Sequence, residues 1–201
     1  AFETSYGRSS MEYYDGFVFG FYAQNGQNGL CILSKYPLMN QSRLDFEDSN
    51  NSAIYADLYY KKDTIRIYNV HLESLRINFK DTIFTKGNSQ KFINRVTDVI
   101  KKQEVQMAEF EKIEKNNLHP SIICTDLNNN AFSKIYKGIK NKRIDAFSIA
   151  GNGLGATYNL ANFPFRVDFI FFAPRMDVID FNTHTVNLSD HNPVSAVLKW
   201  K

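Results

Sequence analysis

Four times along this chain an apolar run and a polar cluster meet abruptly. The clusters are Asn69-Val70-His71-Leu72-Glu73-Ser74, Thr125-Asp126-Leu127-Asn128, Arg166-Val167-Asp168-Phe169-Ile170, and Ser189-Asp190-His191-Asn192-Pro193 ahead of Val194. Each junction reads as a strand end, where a β-scaffold presents its catalytic loops. One such junction would be a capped turn. Four of them, supplying His71, His191, Asp126, Asp168, Asp190 and Asn128, read as one divalent-metal hydrolytic site.

The segments between the clusters support a strand scaffold. Phe17–Tyr22 is an aromatic-rich run and Leu30–Leu33 an apolar one, the two split by a Gln/Asn/Gly turn. Residues 54–59 and 65–70 alternate with period two around Lys61-Lys62-Asp63, a hairpin pattern. Residues 76–90 are polar and read as a loop. Phe92, Val96, Val99, Gln103, Met107 and Phe110 then recur three or four apart, which predicts an amphipathic helix over about 91–115. Its Lys- and Glu-rich outer face reads as solvated surface. Ser121–Cys124 is a short buried strand, a brief helix is expected over 131–139, and strands near 155–159, 167–172, 178–186 and 193–199 complete the chain. Strands with one long helix inserted indicate an α+β or layered sandwich, sheets flanked by helices. Gly151-Asn152-Gly153-Leu154-Gly155 lacks the Lys and following helix of a phosphate-binding loop and reads as a flexible turn.

At 201 residues the chain is expected to form one domain. Its 24 Lys and Arg exceed 21 Asp and Glu by three, which is compatible with an anionic substrate but below the excess of a nucleic-acid coat protein. Cys31 and Cys124 lie inside apolar runs and read as core thiols, which neither require nor exclude an oxidising compartment. No apolar stretch approaches a membrane span, and localisation stays open.

Phosphoester hydrolysis needs charge neutralisation at the phosphate, an acceptor to activate water, donors for transition-state oxygens and a proton source for the leaving group. Mg²⁺ or Mn²⁺ suits hard oxygen ligands and keeps several waters. Asp126 and Asn128, two apart, share a face in extended chain: the first can orient or deprotonate water, the second can donate to a phosphoryl oxygen. His191 can be held in one tautomer by a carboxylate from another strand, with Asp168 the natural partner, which leaves Asp190 free to face a metal. His71 offers a second donor, while Asn69 and Arg76 are candidate substrate contacts. Taken singly, His71 could be structural, Asp126-Leu127-Asn128 an Asx-turn, and Asp168 the ion-pair partner of Arg166 or Arg143. His119 and His184 belong to no cluster and read as solvent-facing.

These clusters, together with Gly29-Leu30-Cys31-Ile32-Leu33-Ser34-Lys35-Tyr36-Pro37, resemble in content and order the endonuclease/exonuclease/phosphatase superfamily over about residues 13–199. The resemblance implies a four-layer αββα sandwich of two packed, mainly antiparallel sheets, with Mg²⁺ or Mn²⁺ at one end. By position it makes Asp126 the water-activating residue, Asn128 a stabiliser of the transferring phosphoryl group, Asp168 the partner of His191, His71 a phosphate or leaving-group contact, and Asp190 a residue of the metal side. Thr125 stands where the family usually has Gly before Asp-Leu-Asn. The family's N-terminal strand with an Asn, its helix, and the strand ending in Gln-Glu have no counterpart here, and Glu3 is a weak substitute for that metal-ligating Glu. The expectation is an N-terminally incomplete, monomeric domain that binds metal poorly as it stands.

The leading function is a metal-dependent hydrolase of phosphoesters, whether nucleic acid, a phospholipid head group or a sugar phosphate. The alternative is a catalytically impaired fragment or a non-catalytic binding domain on the same scaffold. Loops 76–90, with Arg76 and Lys80, and 151–165, with Tyr158, Phe163 and Phe165, are where substrate choice is expected to lie.

Overall fold

The computed structural model describes residues 16–22, 29–75, 86–160, 163–186 and 188–201. Arg76, Lys80 and Glu3 lie outside the described residues.

The centre of the molecule is a six-stranded sheet of order β3-β4-β5-β6-β10-β7. Its strands are β3 (Leu38–Asp45), β4 (Ser52–Tyr60), β5 (Asp63–His71), β6 (Ser121–Asp126), β7 (Ile144–Asp145) and β10 (Asp168–Phe172). β4 and β5 form the expected hairpin, in which Lys61 takes the positive φ of 56° that the tight turn demands. β5 pairs with β6 in parallel, and every other pairing in this sheet is antiparallel. A parallel neighbour requires a crossover. The long helix α1 (Lys86–Lys115) supplies it. Its observed start corrects the expectation of a loop through residue 90.

The two faces of this sheet are distinct because side chains alternate along a strand. Tyr68, Val70, Leu72, Ile123, Phe169 and Phe171 pack toward α1 and α2 (Lys134–Lys140), where Met107, Phe110, Ile135, Tyr136 and Ile139 close the core. On the opposite face, Ile54, Ala56 and Ile67 meet Leu30 and Ile32 of the pair β1 (Phe17–Tyr22) and β2 (Gly29–Ser34). Ile170 and Phe172 on that face meet Met176, Phe181 and Leu198 of the pair β11 (Met176–Thr183) and β12 (Val194–Trp200). The layers therefore run helix, central sheet, strand pairs. A short hairpin of β8 (Tyr158–Leu160) and β9 (Phe163–Phe165) rises between α3 (Ala146–Ala150) and β10.

Two elements depart from the sequence reading. β3 is an edge strand of mostly polar residues with a register shift between Met39 and Ser42, so it shows no clean alternation. The glycine-rich stretch does turn, at the exposed Gly153-Leu154, but the glycines on either side are packed against a ring. A Cβ at Gly151 or Gly155 would fall 2.2 or 2.3 Å from the Phe147 ring, and Gly155 also has φ +59°.

Phe147 in turn stacks under the Arg166 guanidinium, 4.4 Å from its ring centre. Arg166 reaches the fully buried Asp145 at 2.8 Å, and Asp145 also accepts from Tyr136 Oη at 2.8 Å and caps α3 through Phe147 N–H. This ion pair anchors the segment entering β10. Replacing Asp145 by Ala leaves a buried guanidinium without its carboxylate and should cost about 3–5 kcal/mol. Urea denaturation checks it, and a loss below about 1 kcal/mol would mean the pair is dispensable.

Candidate active site

The register of three neighbouring strands brings the site together. In β5 and β6 His71 lies directly opposite Asp126, and in β6 and β10 Asp126 lies directly opposite Asp168. The three side chains thus form one row across the strand ends, on the face turned toward the strand pairs. The apolar runs before them, Ile65–Val70 and Ile122–Cys124, fix that register, because a one-residue slip would exchange the side chains fitted against the helices with those fitted against the strand pairs. His71 Nε2 stands 3.6 Å from Asp126 Oδ2, too far for a hydrogen bond.

His191 enters this row from the turn preceding β12. An isolated antiparallel bridge joins it to Tyr158. Asn192 N–H donates to Thr157 O at 2.7 Å, and Asn192 Nδ2 donates to Ala156 O at 3.2 Å. His191 Nδ1 then meets Asp168 Oδ2 at 2.8 Å and lies 4.0 Å from Asp126 Oδ2. The expected Asp168–His191 pair is formed, while the two arginines that could have claimed Asp168 bind elsewhere: Arg166 pairs with Asp145 and Arg143 with Glu114.

The electrostatics follow from burial. Desolvation raises the Asp126 carboxyl, the nearby Asp168 charge raises it further, and the two imidazoles and Asn128 N–H only partly offset this, leaving it at about 6. Burial pulls the His191 imidazole down. The hydrogen bond and charge of Asp168, joined by Asp126 and Asp190, outweigh burial and carry it up to about 9. The site therefore holds a charged imidazole beside a carboxyl that ionises near neutrality.

Buried polar side chains hold the loops around the row. Asn128 adopts φ 47°, its N–H donates to Asp126 Oδ1 at 2.7 Å, and its Nδ2 donates to Leu72 O at 3.0 Å. The Asx-turn reading of this motif is thus correct locally and coexists with its place at the site. From α1, the fully buried Gln103 Nε2 donates to Glu73 O at 2.7 Å and Leu127 O at 3.1 Å. Gln106 Oε1 accepts from Glu73 N–H at 2.8 Å. Asn51 Nδ2 donates to Leu72 O, and Ser49 Oγ donates to Glu73 Oε2 at 2.6 Å. Thr157 Oγ1, also fully buried, accepts from the N–H groups of Val167 and Asp168 at 3.0 and 3.1 Å. Gln103 was visible as a polar residue in an apolar stripe, a signal that it has a buried partner. Asn51, Gln106 and Thr157 carried no such signal.

The remaining candidates are placed less centrally. Asn69 is buried two residues before His71, and its Nδ2 donates to Cys31 O at 3.1 Å, tying the central sheet to β2. Asp190 is exposed and accepts from Ser189 Oγ at 3.2 Å. His119 and His184 are exposed, as expected.

Asp126, Asp168 and His191 offer ligand atoms within 4.8 Å of one another, a group that does not include Asp190. A charged imidazole is no metal ligand. The usable donors are the two carboxylates, hard oxygens whose mutual repulsion a divalent cation would relieve. In that respect the residues present fit such an ion.

Fold and site together define a member of the endonuclease/exonuclease/phosphatase family, and the model of that family matches residues 3–191. The chain belongs to it, and its fold is the family's α/β sandwich. Similar solved structures include the human Nocturnin catalytic domain with bound sulfate, at 14% identity, TM-score 0.70, covering 98% of this chain and 76% of that one. A mannosyl-6-phosphatase of Bacteroides thetaiotaomicron is similar at 13% identity, TM-score 0.62, with 92% and 77% covered. A conserved protein of Enterococcus faecalis described as functionally unknown is similar at 12% identity, TM-score 0.63, with 96% and 81% covered. No curated protein gives a match by sequence.

The raised His191 gives a stability prediction. A base raised from 6.5 to about 9 contributes its stabilisation fully below pH 6.5 and loses it as pH rises through 9. Asp126, at about 6, titrates below that window. Chemical denaturation between these limits should therefore show a loss of at most on the order of 3 kcal/mol that His191→Gln abolishes. Parallel curves for the two proteins would contradict it.

Proposed function

We propose that this chain is a divalent-metal-dependent phosphoester hydrolase acting as a single, monomeric domain. The observation that carries the reading is the row His71–Asp126–Asp168 with the His191 imidazole bonded to Asp168. Members of the family are typically phosphoesterases or nucleases, and the chemistry of the row suits that reaction.

In the proposed reaction a phosphoester enters with its phosphoryl oxygens toward His191 and His71. The charged His191 donates through its second ring nitrogen to one of those oxygens, with Asp168 fixing its tautomer and orientation. Asp126 accepts the proton of the attacking water. The new P–O bond forms as the bond to the leaving oxygen breaks, and in this reading His71 donates the proton that the leaving oxygen takes up. Asn128, whose backbone N–H donates to Asp126 and whose Nδ2 donates to Leu72 O, would offer its second amide hydrogen to the developing charge. Mg²⁺ or Mn²⁺ would be held by Asp126 and Asp168, with Asp190 serving from the outer side, and would supply charge neutralisation when bound. Substrate contacts by Asn69 and Arg76 belong to the same proposal, although the amide of Asn69 is already engaged with Cys31 O.

The substrate class is a nucleic acid or a sugar phosphate in the first instance; the mannosyl-6-phosphatase among the similar structures is in keeping with a sugar phosphate, and the sulfate-bound Nocturnin domain with a site for a tetrahedral anion. A phospholipid head group is the third candidate. The test is a panel of duplex DNA, RNA, sugar and inositol phosphates, sphingomyelin and a bis-aryl phosphodiester, with Mg²⁺ or Mn²⁺ and with a chelator. At least one should turn over, the chelator should stop it, and His191→Ala should lower kcat by roughly 10²–10⁴-fold. Binding of phosphate without turnover of any substrate would instead make the chain a non-catalytic binding domain, and unchanged turnover in His191→Ala would remove that residue from the site.

A further inference from the structure

His191 sits on an exposed turn, flanked by exposed Ser189 and Asp190, yet its imidazole has to present a single ring nitrogen to substrate. One hydrogen bond, Nδ1 to Asp168 Oδ2, does not by itself fix the ring plane, because the terminal torsion of a histidine is a broad, soft coordinate. A second contact is needed, and Tyr158 makes it. The two ring centres are 4.8 Å apart with the planes inclined at 39°, within the range of favourable aromatic pairs.

Tyr158 is itself firmly placed. It faces Phe165 across the β8–β9 hairpin and bridges His191 through its backbone. The preceding Thr157 is fully buried, grips the backbone N–H groups of Val167 and Asp168 with its hydroxyl, and accepts Asn192 N–H with its carbonyl. The dipeptide Thr157-Tyr158 therefore touches both members of the Asp168–His191 pair from behind: the hydroxyl of one sets the carboxylate strand, and the ring of the other backs the imidazole.

We propose that Tyr158 is the positioning residue of His191, its ring being the wall that holds the imidazole with Nδ1 on Asp168 and the other ring nitrogen toward the phosphoryl group. This rests on the hydrolase reading for its catalytic consequence and on geometry alone for the orientation of the ring. The aromatic face is what acts, and the phenol hydroxyl is not required.

The test uses Tyr158→Leu, which keeps apolar bulk without a ring face, and Tyr158→Phe, which restores the ring without the hydroxyl. In the wild type, proton NMR should show a low-field His191 Nδ1–H, protected by Asp168, and carbon-bound imidazole protons shifted by the Tyr158 ring. Tyr158→Leu should lose the ring-current shift and broaden the low-field signal. On whichever substrate the wild type hydrolyses, it should lower kcat by up to roughly 100-fold with little change in KM, the effect of a misplaced catalytic group. Tyr158→Phe should recover both readouts at a similar thermal midpoint. Should the Leu protein not fold, Tyr158→Thr removes the ring while suiting a strand. Retention of the low-field proton and of kcat without the ring overturns the proposal, as does a Phe variant that fails as badly as Leu. If the wild type hydrolyses nothing, the hydrolase reading fails, and the NMR readout still decides whether Tyr158 sets the imidazole.

Discussion

The hydrogen-bond ladder joining β5, β6 and β10 is the constraint on which the rest of the structure depends. Its parallel and antiparallel halves put residue 126 opposite both 71 and 168, so two carboxylates and an imidazole meet although nearly a hundred residues separate the first from the last. Side-chain period in a strand is two, so the same ladder that buries Tyr68, Val70, Ile123, Phe169 and Phe171 on the helical face delivers His71, Asp126 and Asp168 on the other. Packing and chemistry are thus two readouts of one register. A slip that broke the core would also scatter the site.

Concentrating charge at the mouth of a buried sheet is unfavourable unless each group is answered. Here the answers come from different elements. His191 arrives from the C-terminal turn to bond Asp168, Asn128 N–H answers Asp126, and Gln103 and Gln106 satisfy the backbone of both strand-end loops from α1. The net imbalance shows in the raised Asp126, which burial and Asp168 push upward more than its partners lower it. A metal cation and a phosphate would change that balance in opposite senses. This is why a site of this composition suits a metal-assisted reaction at a phosphoester.

What could be read from the sequence is what depends on short range. The β4–β5 hairpin, α1 and the strand ends bearing His71, Asp126 and Asp168 all announce themselves by periodicity or by an abrupt change of polarity. The pairing of Asp168 with His191 was legible because an aspartate in Val167-Asp168-Phe169-Ile170 needs a partner, although local sequence could not choose between His191 and the arginines. Other features were hidden for physical reasons. β3 is a polar edge strand with an irregular register, and β7 and α3 are too short to show a period. The glycines at 151 and 155 look like a flexible turn until Phe147 is placed against them. Asn51, Gln106, Thr157 and Tyr158 act through partners far away in sequence, which no local pattern encodes.

His71 and His191 both lie within about 4 Å of Asp126, and the proposed reaction has them meet the same phosphoryl group. That meeting is tested most directly by following the imidazole nitrogens of all four histidines by NMR while inorganic phosphate is added. His71 and His191 should respond together with a single shared Kd, while His119 and His184 stay silent. Separate affinities for His71 and His191, or a response of His119 and His184 with neither of the other two, would contradict it.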